Sequence, residues 1–287
     1  IDIVGEHINS GVMWIGIDDT DSPAGMCTTC IGAILVRRLR RMGIRVVETR
    51  LVRLNPNVIH KTRGNAAVCI EADCDVDVGF ELACTCVEEL AELDAADTNP
   101  GVVASDIRPS PDFYHSALRD FCSLGEAVDV LESVGALYQG YKNQRGLIGA
   151  TAAIASEFHD QTYELLVYRK KEVWGSRRDV DRESLFFADK VTYPHTWDTV
   201  DRDNDVVVSV PNTPDPVLLG IRGESPDWVR EARSYIRSEE PACEQIYVTN
   251  QGTDAHLSPG VVGALREGRS YLVRGTVASP PTTGPGG

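Results

Sequence analysis

An apolar run, Trp14-Ile15-Gly16-Ile17, ends abruptly in three carboxylates within four residues: Asp18, Asp19 and Asp21. Carboxylates packed this closely repel, and each raises its neighbour's pKa. A chain that opens on such a strand has to bring a cation to the strand's carboxyl end. Mg²⁺ is the usual one, because it takes hard oxygen ligands and carries substrate phosphates with it. An Asx-type turn with helix capping accounts for one of the three carboxylates but leaves the other two unexplained.

The segments that follow supply partners for a phosphate. Gly25-Met26-Cys27-Thr28-Thr29 reads as a helix start, where exposed N–H groups and the positive dipole end attract an anion, or as an ordinary Thr cap. The loop from Asn57 to Asn65 carries Lys61, Arg63 and Gly64. Lys offers a point charge and Arg a bidentate fork for phosphoryl oxygens. Only five of the 28 basic residues are Lys, which makes Lys61 in such a loop more notable. Lys142-Asn143-Gln144-Arg145-Gly146-Leu147-Ile148-Gly149-Ala150 resembles a weak phosphate loop entering a helix. It lacks the Walker spacing, and its small residues equally suit tight helix packing.

Further on, Arg222-Gly223-Glu224 and Asn250-Gln251-Gly252-Thr253-Asp254 place polar groups at strand ends. Glu224 and Asp254 either hold a cation or cap turns. The Cys27-x-x-Cys30 and Cys84-x-Cys86 pairs argue against zinc, since Cys84 and Cys86 cannot share one helix face.

The periodicity predicts a strand over 13–18, a helix over 28–42 capped by Thr28 or Thr29, strands over 46–54 and 66–71, and a helix over 76–93. A turn-rich stretch at 94–101 precedes helices at 111–122 and 125–134 and an Ala-rich helix ending at Phe158. This alternation favours an α/β domain. A second block, with strands near 162–168, 205–210, 216–221 and 245–249 and a helix at 226–238, reads as half of a ferredoxin-like unit. The stretch 170–203 reads as a long irregular functional loop. Past Pro259 a short helix and a strand over 270–278 are expected, and no internal repeat is evident. The expected architecture is an α/β plus α+β multidomain chain: an extension over 1–12 before a natural start at Met13, domains over 13–158 and 159–257, and a truncated module over 258–287.

Composition narrows the partners. The chain of 287 residues has a net charge of −15 and a pI near 4.8. A simple duplex binder is basic, so any RNA contact here rests on shape, stacking and a few Arg residues. The acidic, Lys-poor surface suits high salt. No apolar stretch reaches transmembrane length and the first residues lack a signal pattern, so a cytoplasmic protein with reduced thiols is expected.

Taken in order, Ile17-Asp18-Asp19-Thr20-Asp21-Ser22-Pro23 with Gly25-Met26-Cys27-Thr28-Thr29, Arg53-Leu54-Asn55-Pro56 with Lys61-Thr62-Arg63-Gly64-Asn65, Arg145-Gly146-Leu147-Ile148-Gly149-Ala150, Val210-Pro211-Asn212-Thr213-Pro214 with Gly220-Ile221-Arg222-Gly223-Glu224, and Thr249-Asn250-Gln251-Gly252-Thr253-Asp254 resemble the archaeal tRNA(Ile) 2-agmatinylcytidine synthetase family. Cys30 stands where an aromatic residue is more usual. The resemblance implies ATP-dependent conjugation of agmatine to carbon 2 of the wobble cytidine of a CAU-anticodon tRNA, so that AUA is read as isoleucine. It implies a kinase-like domain over 13–158, a ferredoxin-like domain over 159–257, an OB-fold cut off after its start, and no zinc ribbon in this chain. It assigns Asp18, Asp19 and Asp21 to catalysis and to Mg²⁺. Thr20, Lys61, Arg63, Gly64, Asn65, Arg145, Gly146 and Gly149 go to ATP, and Thr28 to self-phosphorylation. Arg222, Glu224, Asn250 and Asp254 are the candidates for agmatine.

Two other readings stay open. Asp19-Thr20-Asp21 after a strand has the D-x-D opening of a haloacid-dehalogenase-like phosphatase, where one Asp is the covalent nucleophile. Pro23, where Thr or Val is expected, speaks against it. A non-catalytic RNA-binding protein with a vestigial acidic cluster is the other.

Overall fold

The computed structural model describes residues 11–23, 25–61, 64–212, 214 and 216–280. The expected extension over 1–12 therefore lies almost wholly outside the described residues, as do Ala24, Thr62, Arg63, Thr213, Asp215 and the final seven positions.

The first half runs β1 (Val12–Asp18), α1 (Thr28–Arg41), β2 (Val46–Arg53), β3 (Ala66–Asp73), α2 (Val76–Leu90), β4 (Gly101–Ser105), α3 (Asp112–Arg119), α4 (Leu124–Ser133), β5 (Leu137–Gly140) and α5 (Gly146–Ile154). The second half runs β6 (Thr162–Arg169), α6 (Arg182–Thr192), β7 (Thr196–Trp197), β8 (Val200–Asp201), β9 (Val206–Val207), β10 (Val217–Gly223), α7 (Pro226–Tyr235), β11 (Pro241–Thr249), β12 (Leu257–Pro259) and β13 (Ser270–Leu272). One nine-stranded sheet, ordered β5-β4-β1-β3-β2-β11-β6-β10-β7, joins the two halves. Among the described residues its parallel pairing is confined to the seam, where Val248 and Thr249 of β11 meet Arg50 and Leu51 of β2. The alternation of helices and strands in the first half, read as α/β order, resolves into antiparallel strands: β1 lies between β3 and β4, antiparallel to both.

Apart from the separate β8–β9 pair, each half contains the order strand-helix-strand-strand-helix-strand, and each lays its strands out alike: β4-β1-β3-β2 and β11-β6-β10-β7. The repetition is one of connectivity, which the order of elements in the sequence does not display.

Strand alternation sorts the core. Met13, Ile15 and Ile17 of β1 face Ile31, Leu35 and Leu39 of α1 and Ala83, Cys86 and Val87 of α2. The same core extends across the seam to Leu166, Tyr168 and Tyr247, and the Tyr247 hydroxyl donates to Thr29 O at 2.7 Å. On the opposite face Ala67, Cys69 and Val103 pack with α3, α4 and α5. Leu165, Val167, Leu219 and Ile221 pack with α6 and α7. α5 lies almost directly on the sheet: a Cβ at Gly16 would sit 2.3 Å from Ala150 O, and one at Gly101 would sit 2.2 Å from the Gly146 carbonyl carbon.

Several expectations are corrected. The N-cap of α1 is Cys27, not a threonine. The stretch 170–203 contains α6, anchored by Leu185 and Ala188. The strand expected at 205–210 is two residues long. The final strand stops at Leu272, and residues 260–269 hold turns rather than a helix. Among the described residues no helix is long and apolar enough to cross a membrane.

Candidate nucleotide site

β1 delivers Asp18 at its carboxyl end, on the face covered by α5. A Cβ at Gly149 would lie 1.9 Å from Asp18 Oδ2, so only glycine fits there. Burial pushes the Asp18 carboxyl well above its ordinary range, and the charges of Asp19 and Asp21 add to the shift.

Asp19 follows in the left-handed region, at φ 55°, a conformation that Asp tolerates better than most residues. The turn points its carboxylate at Arg145, whose Nε and Nη2 donate to Oδ2 at 2.9 Å and to Oδ1 at 3.1 Å. Burial nevertheless raises Asp19 to about 7, with the guanidinium opposing the shift. Asp21 turns toward α1 instead: its Oδ1 accepts from Thr28 N at 2.7 Å and from Thr28 Oγ1 at 3.2 Å. Thr20 Oγ1 donates to Thr28 Oγ1 at 3.0 Å, completing a relay from Thr20 through Thr28 to Asp21. The start of α1, expected to meet a phosphate, is thus capped by the chain's own carboxylate.

Asp18, Asp19, Asp21 and Thr28 form one wall of a cavity of about 360 Å³. Lys61, Gly64 and Asn65 form a second wall, and Arg145 and Gly149 line the cavity beside the carboxylates they touch. The loop carrying the second wall is fixed from beneath. Asn65 Nδ2 donates to Asn55 O at 2.9 Å, and Asn55 Nδ2 donates to Asp120 O at 3.0 Å. Lys61 is exposed, and its Nζ donates to Pro56 O. The remaining lining is largely apolar, with Leu54, Ala117, Phe121, Cys122 and Ile148. The α3 contribution was not anticipated. Ala117 lies in that helix, and Phe121, 60% exposed, follows just past its end.

Two residues assigned to ATP play other parts. Thr20 is fully buried under Thr28. Gly146 packs backbone to backbone on Gly101. Neither lines the cavity.

The three carboxylates do not converge on one point, and no group of three His, Cys, Asp or Glu side chains suited to a metal occurs among the described residues. The donors still suit a hard cation. Asp18 and Asp21 both border the cavity, and Mg²⁺ characteristically takes one or two carboxylates and completes its shell with waters and phosphate oxygens.

The four candidates for agmatine are not brought together. Glu224 Oε1 contacts His195 Nδ1 at 2.5 Å, and that imidazole stacks on Trp228 at 4.1 Å. Asp254 opens a 3₁₀ turn beside Tyr114 and Phe158. Asn250 is fully buried. It pins the seam, accepting from Arg53 N at 2.8 Å and donating to Arg53 O at 3.0 Å. Arg222 pairs with Asp198 at 3.0 Å.

Family models described as the TiaS TCKD domain and the TiaS FLD domain match residues 14–73 and 144–256. The isoleucine-tRNA 2-agmatinylcytidine synthetase TiaS of Methanocorpusculum labreanum is 52% identical over 276 residues, covering 96% of this chain and 66% of the relative. That of Methanosarcina mazei is 46% identical, covering 96% and 67%. The chain thus spans about two thirds of the length of these curated relatives. A solved complex of TiaS with its isoleucine tRNA and ATP superposes with a TM-score of 0.86 at 40% identity, over 91% of this chain and 64% of that one. A complex of TiaS with the same tRNA, AMPCPP and agmatine superposes with a TM-score of 0.83 at 38% identity, over 91% and 65%. The chain belongs to the TiaS family of isoleucine-tRNA 2-agmatinylcytidine synthetases.

Proposed function

We propose that this chain carries the catalytic part of an ATP-dependent ligase that joins agmatine to carbon 2 of the wobble cytidine in tRNA(Ile) with a CAU anticodon. Its relatives bear that name, and TiaS has been solved with its isoleucine tRNA, an ATP analogue and agmatine together. The observation that carries the reading is the Thr28–Asp21 pair on the same cavity wall as Asp18 and the Arg145-clamped Asp19.

The cytosine O2 is a poor leaving group. Transfer of the γ-phosphoryl group of ATP to O2 releases ADP and activates carbon 2. The agmatine amine then attacks that carbon, and inorganic phosphate departs with the former O2 while the amine gives up a proton. In this chain Lys61 and Asn65 face the triphosphate from one side and Arg145 from the other, where charge spread over the phosphoryl oxygens is stabilised. Arg63, on the same loop as Lys61, adds a second cation by the family resemblance. Leu54, Phe121 and Ile148 receive the adenine. Asp18 and Asp21 would hold Mg²⁺, which would supply charge neutralisation for the triphosphate. Asp21 also accepts the Thr28 proton, the arrangement of a hydroxyl nucleophile beside its base, which supports phosphorylation of Thr28. The target base leaves its stack to reach the cavity.

The repeated strand order supports the domain reading in part. The β6–β11 unit has the split-βαβ order of a ferredoxin-like domain over 159–257. Residues 13–158 form the kinase-like unit, and 258–287 the start of an OB-fold. A cytoplasmic location follows from the tRNA substrate.

The test is acid-trapping after incubation with γ-labelled ATP and Mg²⁺. Phosphate on Thr28, lost in Thr28→Val and Asp21→Ala, is the expected result. Acid-stable absence of phospho-Thr together with a phospho-Asp at Asp19 would instead establish the phosphatase.

A further inference from the structure

We propose that Cys27 and Cys30 form a redox switch: a peroxide joins them as a disulfide across the first turn of α1, and the bridge weakens nucleotide binding at the site proposed above.

Among the eight cysteines, Cys27 and Cys30 are the one pair spaced three positions apart, and both are free thiols. The fold brings them to one place. Cys27 is the N-cap of α1, with extended backbone at φ −143° and ψ 153°. Cys30 is the third helical residue, and its N–H donates to Cys27 O at 3.1 Å. An N-cap side chain swings over the first turn toward the second and third helical residues. That of Cys27 does so: its Sγ lies 3.4 Å from Thr29 Oγ1. Both thiols belong to the core beneath α1. Burial pushes the Tyr168 and Tyr247 phenols well above their ordinary range, and both thiols add to the shift of each. Those two hydroxyls are 3.4 Å apart, so both sulfurs border the same spot.

The other thiols are poor competitors. Burial pushes Cys69 up to about 12 and Cys86 and Cys122 up to about 11, and it raises Cys74, Cys84 and Cys243 as well. A thiol held protonated reacts slowly, whereas a Cys-x-x-Cys motif at a helix N-terminus favours the reactive thiolate. Cys27 is 5% and Cys30 3% exposed, so the oxidant is small, and hydrogen peroxide is close to water in size. The Cys27 thiolate attacks one peroxide oxygen, the O–O bond breaks, and the departing hydroxide takes a proton to leave as water. Cys27 is then a sulfenic acid. The Cys30 sulfur attacks it, the S–S bond forms, and the sulfenic hydroxyl leaves with the Cys30 proton as a second water. Two thiols lose two electrons and one peroxide is reduced to two waters.

The bridge encloses Thr28 and Thr29. A disulfide needs Cβ atoms about 3.5–4.5 Å apart, closer than the about 5–6 Å usual for residues three apart on a helix. Closing it tightens the first turn. Thr28 N and Oγ1 both donate to Asp21 Oδ1 there, and both residues line the nucleotide cavity. Tightening the turn therefore disturbs the wall that meets the triphosphate.

The experiment treats the chain with equimolar hydrogen peroxide, alkylates it after denaturation, and weighs the digested fragments. In parallel, AMPCPP and Mg²⁺ are titrated into the treated and untreated chain. The fragment bearing Cys27 and Cys30 is expected to lose two mass units and resist alkylation, with the other six cysteines alkylated. AMPCPP is expected to bind the oxidised chain at least tenfold more weakly, and a phosphine reductant to restore both readouts. Cys30→Ala and Cys30→Ser are expected to keep their AMPCPP affinity through the same treatment. The reversible change in the unmodified chain decides the matter if neither variant folds. Alkylation of both Cys27 and Cys30 after peroxide, or a bridge between other cysteines, would overturn the dithiol. A bridge that leaves AMPCPP affinity unchanged, or an equal loss in the Cys30 variants, would overturn the switch and leave the nucleotide site standing. Failure of the reduced, unmodified chain to bind AMPCPP would overturn the nucleotide site and the switch with it.

Discussion

The two halves of the sheet use the same strand order to different ends. In the first, β1 stops at a run of carboxylates, and a glycine-bearing helix, α5, closes over its last residue. In the second, the corresponding strand β6 carries Glu164 in its interior, tied into arginine pairs, and ends at Arg169, paired with Glu239 at 2.7 Å. Connectivity is shared, but chemistry is not. A fold repeats cheaply, while a phosphate site needs specific side chains at one strand end. Where the halves meet, the pairing is only two residues deep. Beside it Asn250 bonds both backbone groups of Arg53, tying the end of β2 to the C-terminal unit.

The largest expected contrast comes from two glycines. Gly149→Ala drives a methyl into Asp18. Overpacking of this kind costs about 1–3 kcal/mol, and nucleotide binding should be lost with it, measured by denaturant unfolding and AMPCPP titration. Gly220→Ala, its counterpart in the second half, meets the movable end of Leu166 at 3.0 Å and should leave both readouts near those of the unmodified chain.

Next is the seam. Asn250→Ala leaves the Arg53 N–H and C=O without their partners. Each unmet buried group costs about 1–3 kcal/mol. A lower unfolding midpoint, and faster amide exchange along β2 and β11, should follow. Unfolding in two separate steps would sharpen the comparison, because it would show that the halves are held together mainly here.

Two helix caps give a smaller contrast. Ser225→Ala removes the acceptor for Trp228 N at the start of α7 and should cost about 1 kcal/mol with no effect on ATP cleavage. Asp21→Ala should cost a similar amount at α1 and abolish cleavage as well, since the same carboxylate caps the helix and faces the cavity.

The mildest effect is pH dependence. Asp19 rises to about 7 in the folded chain, against about 3.9 when unfolded. Between those values the folded state binds more protons, so its stability falls as pH rises through that window. A Mg²⁺–nucleotide complex favours the charged carboxylates. Its thermal shift should therefore be larger at pH of about 8 than at about 5.5, on either side of the Asp19 titration.

Much of the first half was legible because apolar periodicity sets β1, α1, β2, β3 and α2 within a few residues of their observed ends. β4 was missed: all five of its residues are buried, so it lacks the alternation that marks a half-exposed strand. α6 was missed because exposed Phe187 and Val191 blur its apolar stripe. The acidic cluster was legible because it is contiguous. Glu164 was not singled out, although a carboxylate inside Thr162-Tyr163-Glu164-Leu165-Leu166-Val167-Tyr168-Arg169 is a visible oddity. Its partner Arg53 lies 111 positions away, and that pairing exists only in three dimensions. Glu224 and Asp254 looked equally suitable in sequence, but strand direction and turn geometry send them to separate surfaces.

The central claim is that ATP sits in the cavity between the acidic end of β1 and the Asn55–Asn65 loop. Crystals soaked with AMPCPP and Mg²⁺ test it most directly. Triphosphate density between Arg145 and Lys61, with an ion on Asp18 and Asp21, is the expected result. Ordered nucleotide in any other cavity, with no ion on Asp18 or Asp21, would contradict it.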